Sequence, residues 1–343
     1  MRKRLILFIL GIALTLFVIH IFGFDQTVSV LATANIELVA LAFVMQLVIQ
    51  GLLAARIMVI AYQKGYMSFK TAFLTTQSGI FVSLITPIAK IGGEPLKIYM
   101  LRNLFDTSKA SAIVAMDSFV EIISSVIVVL FSVVLFAPQL STHMLFIFSL
   151  FFIITFLIVG VVLKIMLTPR WLAKIVSWIT KQISKFQNVD NKDYTTLFYK
   201  AFTLLIRDKK MLVISFGLSF FIKILEFVRI WIIFLALGFV VPFSTLIIVW
   251  SIVLVLLMIP WLPGSLGLVE FGAVSGYLLF NMPNAIATSA VVLDRLVAFW
   301  FVLFIGLACI YVSKKKGLIP KLEKKHDITK VGAYSETSKY IAK

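Results

Sequence analysis

Six carboxylates occupy positions where a carboxylate is expensive. Glu94, Asp117, Glu121, Glu226, Glu270 and Asp294 all lie inside long apolar stretches of a 343-residue chain. On a membrane-insertion scale each costs about 2.5–3.5 kcal/mol, so six unpaired acids would cost roughly 15–20 kcal/mol, more than the usual net stability of a fold. They must be paired with cations, protonated, or wetted by a cavity. The same stretches contain Arg56, Lys90, Lys223, Arg229 and Arg295, with Lys164 placed to snorkel. Lys223, Glu226 and Arg229 recur at i, i+3 and i+6 and share a helix face. Asp117 and Glu121, at i and i+4, repel one another and call for a cation such as Arg56 or Lys90. Asp294 and Arg295 are neighbours that point about 100° apart on a helix, so they do not simply pair with each other.

Two Pro/Gly clusters carry the sharper chemistry. In "KIGGEP", Gly92 and Gly93 allow close backbone approach and Pro95 suits the first turn of a returning helix. A helix N-terminus there, with free N–H groups and Lys90 beside it, would cradle a phosphate. In "PWLPGSLG", Pro263, Gly264 and Ser265 form the equivalent break, with Ser265 as an N-cap. The expected substrate-binding set is therefore Lys90, Gly92, Gly93, Glu94, Asp117, Arg229, Gly264, Glu270, Asp294 and Arg295. His20, His143 and His326 are far apart, which argues against a histidine metal site. There is no Walker loop, no strand–GxGxxG–helix unit and no Ser/His/Asp grouping. No catalytic residue, metal or cofactor is expected.

The elements that must position these residues follow from composition. The chain is 61% hydrophobic and 14% charged, against about 45–50% and about 25% in soluble domains. Phe alone contributes 32 residues, which excludes disorder, and the single cysteine excludes a disulfide scaffold. An all-α integral membrane protein remains. Full spans are expected at 5–24, 37–62, 110–137, 143–167, 211–237 and 285–312. The opening "MRKR" and the apolar run after it could pass for a signal peptide cleaved near Ala32-Thr33-Ala34; the run's length favours an uncleaved first helix.

Regions 71–105 and 245–280 are broken by the Pro/Gly clusters and are expected to re-enter. If both do, segments 2–4, 61–70, 97–109, 168–210 and 313–343 share one side and hold 26 of the 32 basic residues. The connections 25–36, 138–142, 238–244 and 281–284 on the other side then hold no Lys or Arg. Single crossings would instead split the basic residues 14 against 12. The positive-inside rule selects re-entry, with both termini cytoplasmic. Within 168–210, Trp171, Leu172, Ile175, Trp178, Ile179, Ile183 and Phe186 recur at helical spacing, as an interfacial helix would. Residues 317–343 read as a solvated basic tail near anionic lipid, without the aromatic interleaving that nucleic-acid binding needs.

The two broken regions repeat one another. Pro87 precedes Glu94 by seven residues and Pro263 precedes Glu270 by seven. Asp117 follows Glu94 by 23 residues and Asp294 follows Glu270 by 24. Arg56 lies 31 before Pro87 and Arg229 lies 34 before Pro263. The unit is a helix with Arg, a broken hairpin ending in Glu, and a helix with Asp, spanning about 37–137 and 211–312 of a single domain, 1–316. With the charge sorting, the units run in opposite senses. The expected architecture is six full spans plus two re-entrant hairpins arranged as inverted repeats, the plan of alternating-access carriers.

"PIAKIGGEPLKIYML", "IPWLPGSLGLVEFG" and "LDRLVAFWFVLFIG" resemble the marker segments of the lysylphosphatidylglycerol synthase/flippase transmembrane family. The resemblance covers the chain to about Lys316. It departs at Ser265, where a second Gly is commoner, and in "MDSF", which lacks the Arg that often follows the acid. It implies lipid flipping, in some members of an aminoacylated phospholipid. Synthase members add a large soluble domain, whereas the polar regions here are a 43-residue loop and a 31-residue tail, so lipid aminoacylation is not expected. The expectation is a multi-pass cell-membrane protein, not an enzyme, that moves a polar lipid headgroup, aminoacylated or phosphate-bearing, across the bilayer. Its partner would be a phospholipid or a polyprenyl-phosphate-linked lipid, not nucleic acid, and a homo-oligomer is compatible with the chain. Two alternatives stand beside it: an intramembrane lipid-modifying enzyme, and a non-transporting partner of a separate glycosyltransferase.

Overall fold

A computed structural model describes residues 20–62, 64–86, 92–136, 191–257, 259 and 262–319, together with 9, 11, 13–15, 17, 150, 153, 157, 160, 161 and 164. The interfacial helix expected at 171–186 and most of the expected spans 5–24 and 143–167 lie outside the described residues, as do Lys90 and the tail beyond 319. The described residues contain helices and no strand. In chain order these are α1 (Phe24–Ala32), α2 (Ile36–Tyr62), α3 (Phe69–Ile85), α4 (Glu94–Leu101), α5 (Thr107–Phe136) and α6 (Asn191–Arg207). There follow α7 (Lys209–Ala236), α8 (Phe243–Leu256), a short turn at Pro263–Ser265, α9 (Leu268–Leu279), α10 (Asn284–Arg295) and α11 (Phe301–Lys315). A π turn at Leu296–Trp300 joins α10 to α11 without interrupting the helical path.

Among the described residues four helices are long and apolar enough to cross a membrane: α2, α5 over Thr107–Ser132, α7, and α10 with α11 over Asn284–Lys315. They coincide with four of the expected spans. The chain is an all-α, multi-pass membrane protein.

Each Pro/Gly region folds as a hairpin. Helix α3 starts at Ser68, whose Oγ accepts from the Thr71 amide, and stops at Thr86, which turns extended ahead of Pro87. At 17 residues it is roughly 25 Å long, short of a full crossing. Chain contacts then run back along it: the Gly93 amide donates to Ser83 Oγ at 2.9 Å, the Lys97 stem lies over Gly79, and Phe105 lies on Gly65. The second region does the same, Gly272 of α9 resting on Leu256 of α8 and Gly276 on Val249. The turn at Pro263–Ser265 packs against α3, so the tip of one hairpin meets an arm of the other.

Helices α2 and α7 are antiparallel neighbours. Arg56 reaches Ser219 while Gln46, earlier in α2, receives Arg229, later in α7. Two apolar cores flank that contact. One gathers Ile57, Ile60, Ile113, Met116, Phe198 and Phe202; the other gathers Phe234, Leu246, Val249, Val274, Tyr277 and Val297.

Three expectations need correction. Residues 25–36, read as a connection, contain α1, whose Thr27 carbonyl accepts from Ser289. Part of loop 168–210 is built into the bundle. In α6, Phe198, Ala201, Phe202 and Leu205 are buried, and their i, i+3, i+4, i+7 spacing makes one apolar stripe against α5. Lys97, counted among the basic loop residues, belongs to α4 and is buried. Among the described residues, the ends around 64–70, 103–109 and 316–318 gather together. Partial burial and the charge of Lys109 hold the Lys64 ammonium below its usual pKa, Lys70 lies beside Lys316, and Asn103 donates to the Leu318 carbonyl.

Candidate functional site

The polar residues of the membrane segments assemble into two ionic networks. In the first, Arg56 of α2 donates through Nε to Asp117 Oδ1 at 2.8 Å and through Nη1 to Glu121 Oε2 at 2.5 Å and Ser219 Oγ at 2.8 Å. Lys97 Nζ lies 3.2 Å from Glu94 Oε1 and 3.5 Å from Asp117 Oδ2. Lys223 Nζ bridges Glu121 Oε1 at 3.0 Å and Glu226 Oε2 at 3.1 Å. Seven charged side chains from α2, α4, α5 and α7, three cations and four acids, thus pair with one another, and Arg56, Asp117 and Lys223 are each at most 4% exposed. The i, i+4 spacing of Asp117 and Glu121 places both acids on the α5 face that meets Arg56.

The second network uses the matching landmarks of the second unit. Arg229 Nη2 donates to Asp294 Oδ1 at 2.8 Å, and Nη1 to Gln46 Oε1. Arg295 Nε donates to Glu270 Oε1 at 2.8 Å, and its Nη2 reaches the carbonyls of Gly264 and Ser265, each at 3.4 Å. The guanidinium also lies over the Phe299 ring, 5.6 Å from its centroid. Gly264 is required here twice over. Its φ is +60°, and a Cβ would fall 2.1 Å from the Phe299 ring. Three residues near the N-terminus touch this site: Leu14 rests on Gly267, Gly11 on Leu266, and Thr15 Oγ1 lies 3.4 Å from Glu270 Oε1.

All six intramembrane acids therefore have a cationic partner, and in each unit the Arg helix pairs with the Asp helix. Of the expected set, Glu94 and Asp117 fall in the first network, and Arg229, Gly264, Glu270, Asp294 and Arg295 in the second. Lys90 is outside the described residues. The free-amide cradle expected at Gly92 and Gly93 is not formed at Gly93, because its N–H is given to Ser83. These glycines serve contact between the hairpin arms. A Cβ on Gly93 would fall 1.8 Å from the Gly79 carbonyl oxygen, and one on Gly92 1.8 Å from Thr86 Oγ1.

Sequence reasoning left Lys97 and Gln46 out. Lys97 was visible as the i+3 partner of Glu94, but its place in one segment with Arg102 and Lys109 disguised it. Gln46 and Gln50, i and i+4 in an otherwise apolar helix, were a signal that went unused.

Some buried oxygens lack partners. Glu270 Oε2 and Glu94 Oε2 are buried without a hydrogen bond, although Ser118 stands by Glu94. So are Gln50 Oε1 and, along α3, Thr75 Oγ1, Thr76 Oγ1, Gln77 Oε1 and Ser78 Oγ. Each such group costs about 1–3 kcal/mol unless water or a ligand supplies the bond. Beside the first network an apolar groove of about 400 Å³ opens between α5, α7 and α8, lined by Ile127, Phe131, Ile224, Phe227, Trp250 and Lys223.

Paired broken hairpins with buried ion networks at equivalent landmarks define a polytopic membrane protein of a particular design. The profile of the family described as "Lysylphosphatidylglycerol synthase TM region" matches residues 5–306, and the chain belongs to that family. Similar curated proteins are each called a UPF0104 membrane protein. One from Methanocaldococcus jannaschii is 28% identical over 92% of this chain and 96% of its own length. Another, from Methanothermobacter thermautotrophicus, is 26% identical over 90% of this chain and 95% of its own. A third, from Pyrococcus horikoshii, is 24% identical over 91% and 98%.

Proposed function

We propose that this protein carries a polar lipid headgroup, aminoacylated or phosphate-bearing, across the cell membrane without altering it chemically, its basic loops and both termini facing the cytoplasm. The observation that supports this reading is the pair of ion networks buried at matching positions of two hairpins. A fold that needed only stability would do better with apolar residues there, since buried ion pairs rarely out-stabilise well-packed hydrophobic side chains. Retained ionisable groups deep in a membrane domain fit a route for polar cargo. The headgroup exchanges into contacts now made internally, with Glu94, Glu270, Asp117 and Asp294 as acceptors and Arg229 and Arg295 as donors. Its hydrocarbon stays in the bilayer, with the groove beside Lys223 as a seat for one chain. The family's name points to a lipid, and two broken hairpins in one membrane domain suit such a carrier.

The test is reconstitution into vesicles containing lipids with fluorescent headgroups, and measurement of the fraction a membrane-impermeant quencher reaches over time. Wild-type protein should speed exchange between leaflets, and Glu94→Gln or Arg295→Ala should slow it at least tenfold. Equal rates in wild type and both variants, with all three folded, would remove this assignment.

A further inference from the structure

Helix α3 carries four consecutive polar residues, Thr75, Thr76, Gln77 and Ser78, and each is at most 3% exposed. Four residues at 100° per step circle the helix, so this turn is polar on every side. Their missing hydrogen bonds are concentrated in one turn. Thr288 Oγ1 and Ser313 Oγ are also buried without partners, but singly, in α10 and α11. Other hydroxyls satisfy themselves on their own helix, as Ser124 does on Val120, Ser125 on Glu121 and Ser251 on Ile247. Thr75, Thr76 and Ser78 do not, and their oxygens are buried without partners. Gln77 Nε2 donates to the Gln50 carbonyl at 3.3 Å, which joins α2 and α3 at this level while both amide oxygens, Gln50 Oε1 and Gln77 Oε1, stay unpartnered. The tip of the second hairpin packs on this same helix.

We propose that this polar turn of α3, with Gln50 of α2, binds the hydroxyl groups of a lipid headgroup such as a sugar or other polyol. The inference rests on the carrier reading above and narrows its substrate class. Amide oxygens only accept, so they need donors; hydroxyls donate and accept, so they pair best with groups that do both. A phosphate, an acceptor alone, leaves both glutamine oxygens unmet. A cation, which only donates, leaves the hydroxyl protons of Thr75, Thr76 and Ser78 without an acceptor. A hydroxyl-rich neutral group meets both conditions.

Thermal unfolding of the purified full chain in detergent, with added lipids of identical acyl chains, tests this directly. A diglucosyl diacylglycerol should raise the Tm in a saturable manner, and phosphatidic acid should not. Thr75→Val with Thr76→Val should weaken the half-saturating glycolipid concentration at least fivefold. Ser78→Ala, a smaller change, should weaken it in the same direction if the double variant fails to fold. Equal stabilisation by both lipids, a wild-type response in the variants, or a shift produced by sodium chloride alone would each overturn the proposal. Because the readout is binding, it is independent of transport. Glycolipid binding without leaflet exchange would count against the carrier reading only, and exchange without headgroup selectivity against this inference only.

Discussion

A guanidinium held between two carboxylates in a dry interior is stable only as a set. Arg56 meets Asp117, Glu121 and Ser219 at once, and removing it takes the shorter of two cationic contacts from each acid, leaving Asp117 to Lys97 at 3.5 Å and Glu121 to Lys223 at 3.0 Å. Breaking such a pair costs about 3–5 kcal/mol, most of it the penalty on the partner left behind. Arg56→Met and Asp117→Leu should therefore each destabilise by about that amount. The double variant should lose clearly less than the sum, because it removes both charges together. Unfolding of the four proteins in detergent measures the coupling; strict additivity would mean the 2.8 Å contact carries no energy of its own.

At the scale of elements, the hairpins depend on backbone approaching backbone. Gly93→Ala sets a methyl against the Gly79 carbonyl, and neither arm can yield without moving a helix. Gly264→Ala adds a left-handed φ to a clash with Phe299, the ring beneath Arg295. Both variants should unfold at markedly lower temperature than wild type. Gly217→Ala is the contrasting case. That residue sits inside α7 with open space around it, so the added methyl should be neutral or stabilise by up to about 1 kcal/mol. Melting curves that failed to separate Gly217 from the hairpin glycines would refute the close-approach explanation.

The same elements show how far periodicity reaches. Helices α2, α5, α7 and α10–α11 were legible because an unbroken apolar run of their length has few other uses. Helix α1 was not, since Asp25, Gln26, Thr27 and Ser29 look like a loop until Ser289 and the second core supply what they pack against. Helix α6 had a readable stripe, but its many polar residues gave no measure of how much of that stripe would be covered.

At the scale of the whole molecule, basic residues from three separated helix ends meet in space among the described residues. Lys64 meets Lys109, Lys70 meets Lys316, and Asn103 meets Leu318, so the ends of α2, α4 and α11 share one face. The antiparallel α2–α7 contact puts Lys209 at that face and Val240 at the other. In a Cys309→Ser background, single cysteines at Tyr66 and Lys316 should react with a membrane-impermeant maleimide from the cytoplasmic side only. A cysteine at Val240, 76% exposed, should react from the opposite side only. Labelling of all three from one side would contradict the topology.

The residues by themselves determined that this chain lives in a membrane, which ends of its helices are basic, and that its intramembrane acids need partners. Those conclusions follow from transfer energies, which depend on residue type and run length and not on what packs against what. They also determined the repeated order Arg, Pro/Gly, Glu, Asp, since duplicated spacing is a property of the string. Tertiary structure alone decided the pairings. Asp294 turns to Arg229 and leaves its neighbour Arg295 to Glu270, because helical geometry points adjacent side chains to different faces and only packing brings a distant face close. It also decided that Lys97 is an interior charge and that Gly93 spends its amide on Ser83. Both depend on α4 folding back along α3, a contact between segments that no local pattern encodes.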